Sequence, residues 1–544
     1  LSISNTLQSI ISQLENTLPT NPGQMTGILR RGQLTQEELM DWADLDHPKE
    51  DSYGRKLVHQ GENFEVMVMS WAPGDFSGIH DHGFTQWGAV QIFGNAEHAI
   101  FKSEDGKMST LARWITKTGD VVGVSHELIH QMGNPGDEPF LSLHVYGTLD
   151  KKTNITGEAR LYVPDEASIQ RINGGVFFAL PENEILRTEN GPVGDLPVQL
   201  RHQVEFTNRL ITIYGADSQE VKSQSSKVFS KSKQQELLVY LDEVVNYSNG
   251  KIKDSMHWDI LNMEFKAAAR LQERLNSERD DSDHFHKYAE LYDELIGKVS
   301  MDDFMKNYLE HVQETTEVDF STQSIISLGC GTGLVEQWII DHFDASKENI
   351  LGIDFSEAMV SEAKERINAE VGDILNLNVE EGSWDVAYSG LNVFQYLPES
   401  KFEQAIENAA ALLKPGGYFV GDFIAPDHIS WYPNVMYSGD KRIISLRTPQ
   451  LIEEYNDQFQ ESEIINISFM GEAMEINYAG KHRRYLPPLH LVRILFAKHF
   501  GGEVQLMDAR ELTPLSERDE SSASTRYVVI ARKAEIDEED ESEA

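Results

Sequence analysis

The sequence predicts a multidomain chain: an all-β barrel first, a helical linker region next, and a doubly wound α/β domain last. Three observations predict it. Short β-type runs broken by Gly, Pro and Asp fill residues 61–147. Apolar residues at helical spacing mark 234–247 and 256–279. From about residue 284 onward short apolar strands alternate with helices, the pattern of βαβ units on a parallel sheet. The expected boundaries are 1–185 for the barrel, 186–283 for a helical linker or spacer, 284–534 for the α/β domain, and 535–544 for an acidic tail expected to be disordered.

The barrel strands include Phe64–Met69, Gly88–Phe93 and Leu141–Tyr146, continuing through 159–163 and 175–179. Residues 223–233 are rich in Ser and Lys and read as a linker. In the last domain, Ile325–Leu328 and Ile350–Ile353 are apolar strands, while 335–343 and 357–369 are helical. There is no internal repeat.

Bulk properties narrow the function. The chain has 544 residues and a 40% hydrophobic fraction, enough for real cores and for about three to four domains. A formal net charge of −42 repels phosphate backbones, so nucleic acid is not an expected partner; the surplus acid reads as a solubility adaptation. No run of 18 or more apolar residues occurs and the first twenty residues lack the pattern of a secretory signal, so no membrane partner is expected. The single cysteine, Cys330, excludes a disulfide within the chain and fits a reducing, cytoplasmic compartment. Oligomeric state is not legible.

Two histidines at i and i+2, His80 and His82, share one face of a strand, and His130 follows on another. Three imidazoles converging inside a small barrel can ligate a divalent metal. Residues 83–88 hold no carboxylate. Three neutral ligands leave the ion's charge uncompensated, which favours an anionic chelating substrate such as a thiolate with its amine. The same trio suits catalytic zinc, so the metal stays open on ligand type alone. Ser142, His144 and Tyr146 lie at i, i+2 and i+4 of one strand and could form a hydrogen-bond chain that presents the phenol. Alternation alone often produces such spacing.

These residues, together with Tyr53-Gly54-Arg55-Lys56-Leu57-Val58, resemble the cysteine dioxygenase family of cupin barrels over roughly residues 51–146. The resemblance implies iron(II) on His80, His82 and His130, with O2 as co-substrate. It implies an outer chain of Ser142, His144 and Tyr146. It also implies a substrate carboxylate on Arg55, whose planar fork suits that anion, with Tyr53 helping to position it. Outside that context Arg55 reads as a surface ion pair. Animal members of the family join a cysteine near the histidine pair to the active-site tyrosine. Here Trp87 or Gly88 occupies that neighbourhood, so the cross-link is excluded, and Trp87 is expected to shape the substrate pocket.

In the last domain Ser327-Leu328-Gly329-Cys330-Gly331-Thr332-Gly333 follows a strand and opens a helix. Glycines there permit a tight turn and close ligand approach. Asp354 ends the next strand, Asp373-Ile374 follows a third, 384–389 reads as a fourth, and 413–418 turns into a fifth. Five motifs in this order resemble the Rossmann-like class I S-adenosylmethionine-dependent methyltransferases, over about residues 288–533.

By that resemblance Gly329, Gly331 and Gly333 border the cofactor's amino-acid end, Asp354 takes the ribose hydroxyls, and Asp373 with Ile374 frames the adenine. Asn392, Phe394 and Gln395 fall at the ligand crevice past the fourth strand. Tyr288 and Tyr292 resemble an aromatic entry helix that covers the cofactor. Simpler readings exist: Asp354 as a helix-start residue beside Ser356, Tyr288 and Tyr292 as helix core at i and i+4, and Cys330 as a small loop residue. The acceptor pocket is the least legible part: residues 429–486 look like an insertion between late strands, and Lys481-His482-Arg483-Arg484 within it is either a clamp for an anionic acceptor or a surface loop.

The expected function is therefore a bifunctional enzyme. An iron dioxygenase would oxidise the thiol of cysteine or a related small molecule to a sulfinate, and a methyltransferase would act on a related small molecule. Alternatives are a different thiol, such as a thiol-histidine derivative, or a non-catalytic cupin that senses a ligand or docks the methyltransferase.

Overall fold

The computed structural model describes residues 2–152, 154–247, 256–276, 285, 289–430, 434–440, 442–469, 473–515 and 524–535. It divides into two compact units, residues 1–277 with 472–474, and residues 278–471 with 475–544.

The first unit is built on two β-sheets. One orders the strands Gly54–Gln60, Phe64–Trp71, Phe140–Gly147, Trp87–Ile92 and Val121–Val124. The other has eight strands, with Ala159–Val163, Ile79–His80, Ile129–Gly133 and Glu97–Glu104 adjacent at its centre. Strand alternation decides which side chains enter the space between the sheets. Met67, Met69, Trp71, Val90, Ile92 and Tyr146 point inward and meet Ala159, Leu161 and Ile172 of the second sheet. Val66, Val68, Trp87, Ala89, Leu143 and Val145 point outward, where the helices Asn5–Asn16 and Pro22–Gly32 cover them with Leu7, Ile10, Leu14, Met25 and Leu29. Both faces being covered, Phe64–Trp71 is buried along its whole length.

The helices that follow are part of this unit, which corrects the reading of 186–283 as a spacer. Strand Ile185–Asn190 still pairs with Ser168–Ile172. Helices Leu196–Tyr214 and Met256–Asn276 then dock through a buried ion network. Arg113 on the barrel strand Lys107–Ile115 contacts Glu97 at 2.7 Å and Glu264 at 2.9 Å. Arg201 contacts Glu97 at 2.7 Å, Glu205 at 2.6 Å and Glu264 at 3.1 Å. All five side chains are at most 5% exposed. The stretch read as a Ser/Lys linker, 223–233, is mostly helical: Gln219–Val228, capped by Ser218 accepting from the Val221 amide, runs into it, and Lys231–Tyr247 leaves it.

The second unit carries a seven-stranded sheet in the order Asn368–Val371, Ile350–Asp354, Ile325–Leu328, Trp384–Ser389, Leu413–Ile424, Arg526–Lys533, Gly501–Asp508. The first five are parallel and Arg526–Lys533 runs antiparallel to its neighbours. Helices Glu399–Leu412 and Leu489–Phe500 cover one face, against Ile326, Leu328 and Phe419. Lys306–Thr315 and Leu334–Phe343 cover the other, against Ile325, Val386 and Val420. The strand order reverses between Ile325–Leu328 and Trp384–Ser389, the point at which such sheets open a ligand crevice. The expected insertion at 429–486 is a four-stranded antiparallel sheet of Val435–Tyr437, Ile443–Glu454, Asp457–Ser468 and Glu475–Tyr485. Among the described residues, no helix is long and apolar enough to cross a membrane.

Candidate active sites

His80, His82 and His130 converge in the first unit. One nitrogen from each lies within 4.8 Å of the others, and all three rings are buried. Register produces this: His80 sits directly opposite His130 on paired strands. His82 lies past the end of the strand Ile79–His80 rather than on it. Asp81 fixes that turn by accepting from the Arg160 amide at 2.8 Å and the Gly83 amide at 3.2 Å, and by pairing with the Arg160 guanidinium. Gly83 has φ +55°, and a Cβ there would meet the Gly157 carbonyl oxygen at 2.1 Å, so only glycine makes the turn.

The outer nitrogens show that the trio fits a metal. His80 Nδ1 donates to the Gly78 carbonyl at 2.9 Å and His82 Nδ1 to the Ser125 carbonyl at 3.2 Å. A carbonyl only accepts, so both rings carry their proton on Nδ1 and turn a bare Nε2 inward. His130 Nδ1 meets His98 Nε2 at 2.8 Å. His130 Nε2 lies 3.1 Å from His80 Nε2, and His82 Nε2 has no hydrogen-bond partner among the described residues. Burial holds all three imidazoles below their usual range, His80 at about 4, so the neutral, ligating form prevails at neutral pH. Three buried lone pairs aimed at one point are what a divalent cation satisfies.

Ser142, His144 and Tyr146 form the expected chain. Ser142 Oγ is 2.7 Å from His144 Nε2, and His144 Nδ1 is 2.7 Å from the Tyr146 hydroxyl. The Tyr146 ring lies 5.3 Å from the His82 ring. Burial pushes the Tyr146 phenol well up and His144 down to about 3, so both stay neutral. His144 and Tyr146, with Arg55, Tyr53, Met67, Met69, Trp71 and the three imidazoles, line a cavity of about 40 Å³, and Ser142 stands behind them. The Tyr53 hydroxyl accepts from the Val176 amide at 3.1 Å and its ring stacks on Trp71 at 4.7 Å.

In the second unit a cavity of about 430 Å³ opens over the glycine loop, within the size range of cofactor sites. Gly329, Gly331 and Gly333 all have positive φ, of 78°, 54° and 73°. A Cβ on Gly329 would lie 2.4 Å from Val393. Asp354 braces the loop, one carboxylate oxygen accepting from the Gly331 amide at 2.8 Å and the other from the Ser356 amide at 2.9 Å. Asp373 accepts from the Leu375 amide at 2.9 Å and the Asn376 side chain at 3.1 Å. Gly329, Gly331, Asp354, Asp373 and Ile374 line the cavity, closed on its apolar side by Phe285, Tyr292, Met305 and Tyr396.

Comparison with known proteins finds a family model for each unit. Residues 5–150 match the family model for cysteine dioxygenase type I, and residues 325–417 match a methyltransferase domain model. The chain joins a cysteine dioxygenase-like cupin to a methyltransferase domain. The cupin is 26% identical over 117 residues to human cysteine dioxygenase type 1, covering 20% of this chain and 58% of that protein. The methyltransferase domain is 30% identical over 155 residues to the tRNA N(3)-methylcytidine methyltransferase trm140 of Schizosaccharomyces pombe, covering 25% and 50%. The chain thus spans about half the length of these relatives. A solved S-adenosylmethionine-dependent methyltransferase from Clostridium acetobutylicum is 19% identical, covering 46% of this chain and 99% of that one, with a TM-score of 0.38.

Trp87, Gly333, Asn392, Phe394 and Gln395, all expected at the sites, line neither cavity. Trp87 does not shape the cupin pocket: it points outward among the residues beneath the N-terminal helices. Its neighbour Gly88 faces inward, directly opposite Tyr146, and a Cβ there would lie 3.3 Å from the phenol ring. In the methyltransferase domain Asn392 is buried in a left-handed turn with φ 54°, while Leu391 and Val393 line the cavity in its place. Gln395 is structural, its side chain donating to the Ile424 and Tyr485 carbonyls at 2.9 Å. Cys330 is a buried loop residue whose thiol burial pushes far up. Tyr288 and the acidic tail beyond Glu535 lie outside the described residues.

The basic island resolves into two faces. Lys481 and Arg483 point outward and pair with Glu461, Arg483 also with Glu454. His482 and Arg484 point inward and are buried. The His482 ring lies 5.2 Å from Phe285, and the Arg484 guanidinium lies 5.2 Å from the Tyr396 ring, two aromatics that wall the cavity. Sequence reading passed over His98, Trp71 and Glu336. A lone histidine, tryptophan or glutamate carries no spacing signal, and only the folded register brings each to its site.

Proposed function

We propose that the chain is a bifunctional enzyme: an iron(II) dioxygenase that converts a small carboxylate-bearing thiol, cysteine or a close relative, to its sulfinate, and an S-adenosylmethionine-dependent methyltransferase acting on a related small molecule. The observation that carries the first half is the conjunction of three inward-facing Nε2 atoms, the Ser142–His144–Tyr146 chain and Arg55 around one small cavity.

Iron(II) on His80, His82 and His130 would supply the centre at which a thiolate and O2 meet, both oxygen atoms ending on the sulfur. The protein's part is positioning. Arg55 offers a guanidinium fork at the pocket wall for the substrate carboxylate. Tyr146, held by His144, presents its hydroxyl beside the imidazoles as a neutral donor. Met67, Met69 and Trp71 exclude water from the reacting end.

In the methyltransferase domain the donor's sulfonium is already activated, so alignment is the main task. The buried His482 and Arg484 behind the cavity's aromatic wall favour an acceptor with an anionic group, such as a carboxylate or sulfinate. A small-molecule thiol, a small-molecule acceptor and a reducing cytoplasm complete the reading.

The test is oxygen uptake by iron-loaded protein. One O2 consumed per sulfinate formed from cysteine, or from another carboxylate-bearing thiol in a panel, supports the dioxygenase. No uptake with any of them refutes it. Transfer of labelled methyl from S-adenosylmethionine to the thiol or sulfinate, read by mass spectrometry, tests the second half.

A further inference from the structure

Glu336 is a buried acid to which neither catalytic reading gives a role. It is the third residue of the helix Leu334–Phe343, which opens directly off the glycine loop, and it borders the 430 Å³ cavity. It is 1% exposed. One carboxylate oxygen accepts from the Ser327 hydroxyl at 2.5 Å. The other has no hydrogen-bond partner among the described residues. A half-satisfied buried carboxylate is costly, and a ligand that completes it is one reason for a fold to keep it.

Its surroundings leave it short of positive charge. Arg366 is the cation that acts on it, but Arg366 is already engaged by Asp293 at 2.6 Å and the Thr332 carbonyl at 2.9 Å. Asp354, the Cys330 thiol and the Tyr388 phenol are the other titratable groups coupled to it, and none is a cation. Burial, the largest cause, with Asp354 adding to it, outweighs the Ser327 hydrogen bond, Glu336's own backbone amide and Arg366, and pushes Glu336 up to about 7. The group therefore holds a proton loosely at neutral pH, and a cation entering the cavity would displace it.

We propose that Glu336 anchors the α-ammonium group of the methyl donor, its free oxygen accepting an N–H from the ligand while Ser327 holds the other oxygen. This rests on the S-adenosylmethionine reading of the cavity. Position selects the ammonium rather than the nucleoside. Asp354, Asp373 and Ile374 line the part of the cavity reached from the second and third strands, whereas Glu336 stands at the head of the helix that leaves the glycine loop.

The test is titration of the full chain with S-adenosylhomocysteine and with 5′-methylthioadenosine, which keeps the nucleoside and sulfur but lacks the amino-acid end. Glu336→Gln is expected to weaken S-adenosylhomocysteine by about tenfold or more and to leave 5′-methylthioadenosine within about twofold. In the unaltered chain, affinity for S-adenosylhomocysteine should rise between about pH 5.5 and about pH 7.5 as the carboxylate loses its proton, with no such rise for 5′-methylthioadenosine. That arm decides the matter if the variant does not fold. Equal weakening of both ligands, no weakening of either, or a flat pH profile for S-adenosylhomocysteine overturns the assignment. If the unaltered chain binds neither ligand, the S-adenosylmethionine reading itself fails, a distinct result.

Discussion

The Trp71 indole N–H donates to Ser142 Oγ over 2.8 Å. An indole N–H only donates, so it takes one lone pair of Ser142 Oγ and favours the polarity in which the hydroxyl proton goes to His144 Nε2. His144 then carries its own proton on Nδ1 and gives it to the Tyr146 oxygen. The Tyr146 O–H is left free to point into the cavity. One bond behind the site thus biases the direction of the whole chain.

Trp71→Phe removes that bond and should lower kcat of thiol oxidation by about tenfold with KM changed by less than about twofold. Ser142→Ala should do the same. The double variant should be no worse than Ser142→Ala alone, since both act through one wire; steady-state kinetics in a double-mutant cycle checks it.

Arg55→Ala should discriminate among substrates. For thiols with a carboxylate it should raise KM by about 10- to 100-fold, the equivalent of one charge-assisted pair worth about 1.5–3 kcal/mol. For a thiol amine without a carboxylate the change should be small. Oxygen-uptake kinetics on the two substrate types reads the difference.

With a metal on His130 Nε2, the His130 Nδ1 proton would go to His98 Nε2, 2.8 Å away, and hold that ring in its ligating form. His98→Ala should weaken iron binding by about 10- to 100-fold, measured by competition with a chelator. His98→Gln, whose amide oxygen can accept the same proton, should recover part of the loss. A merely space-filling role would show no such recovery.

Glu264 is fully buried between Arg113 and Arg201. Glu264→Ala leaves two guanidiniums short of an anion and should destabilise the first unit by about 3–5 kcal/mol. Calorimetry should show a lower melting transition for this unit while S-adenosylhomocysteine binding by the other persists.

What the sequence made legible were features with local periodicity or a spaced motif. The alternation at 142, 144 and 146 put three side chains on one face, and the glycine loop followed a strand and opened a helix. What escaped it depended on register. Trp87 and Gly88 are neighbours on a strand and must face opposite ways, but only the pairing of Gly88 with Tyr146 tells which one enters the barrel. Asn392 was placed by motif order, yet its left-handed backbone leaves Leu391 and Val393 to line the cavity. The Ser/Lys stretch reads as a linker by composition, whereas the cap at Ser218 starts a helix that runs into it as far as Val228.

The buried ion network carries a practical consequence for anyone dissecting the chain. A fragment ended at residue 185 would keep His80, His82 and His130 yet strip Arg201 and Glu264 from Glu97 and Arg113, exposing the strand on which His98 sits. Proteolytic or recombinant trimming that aims to preserve oxidation should leave the polypeptide whole through Asn276.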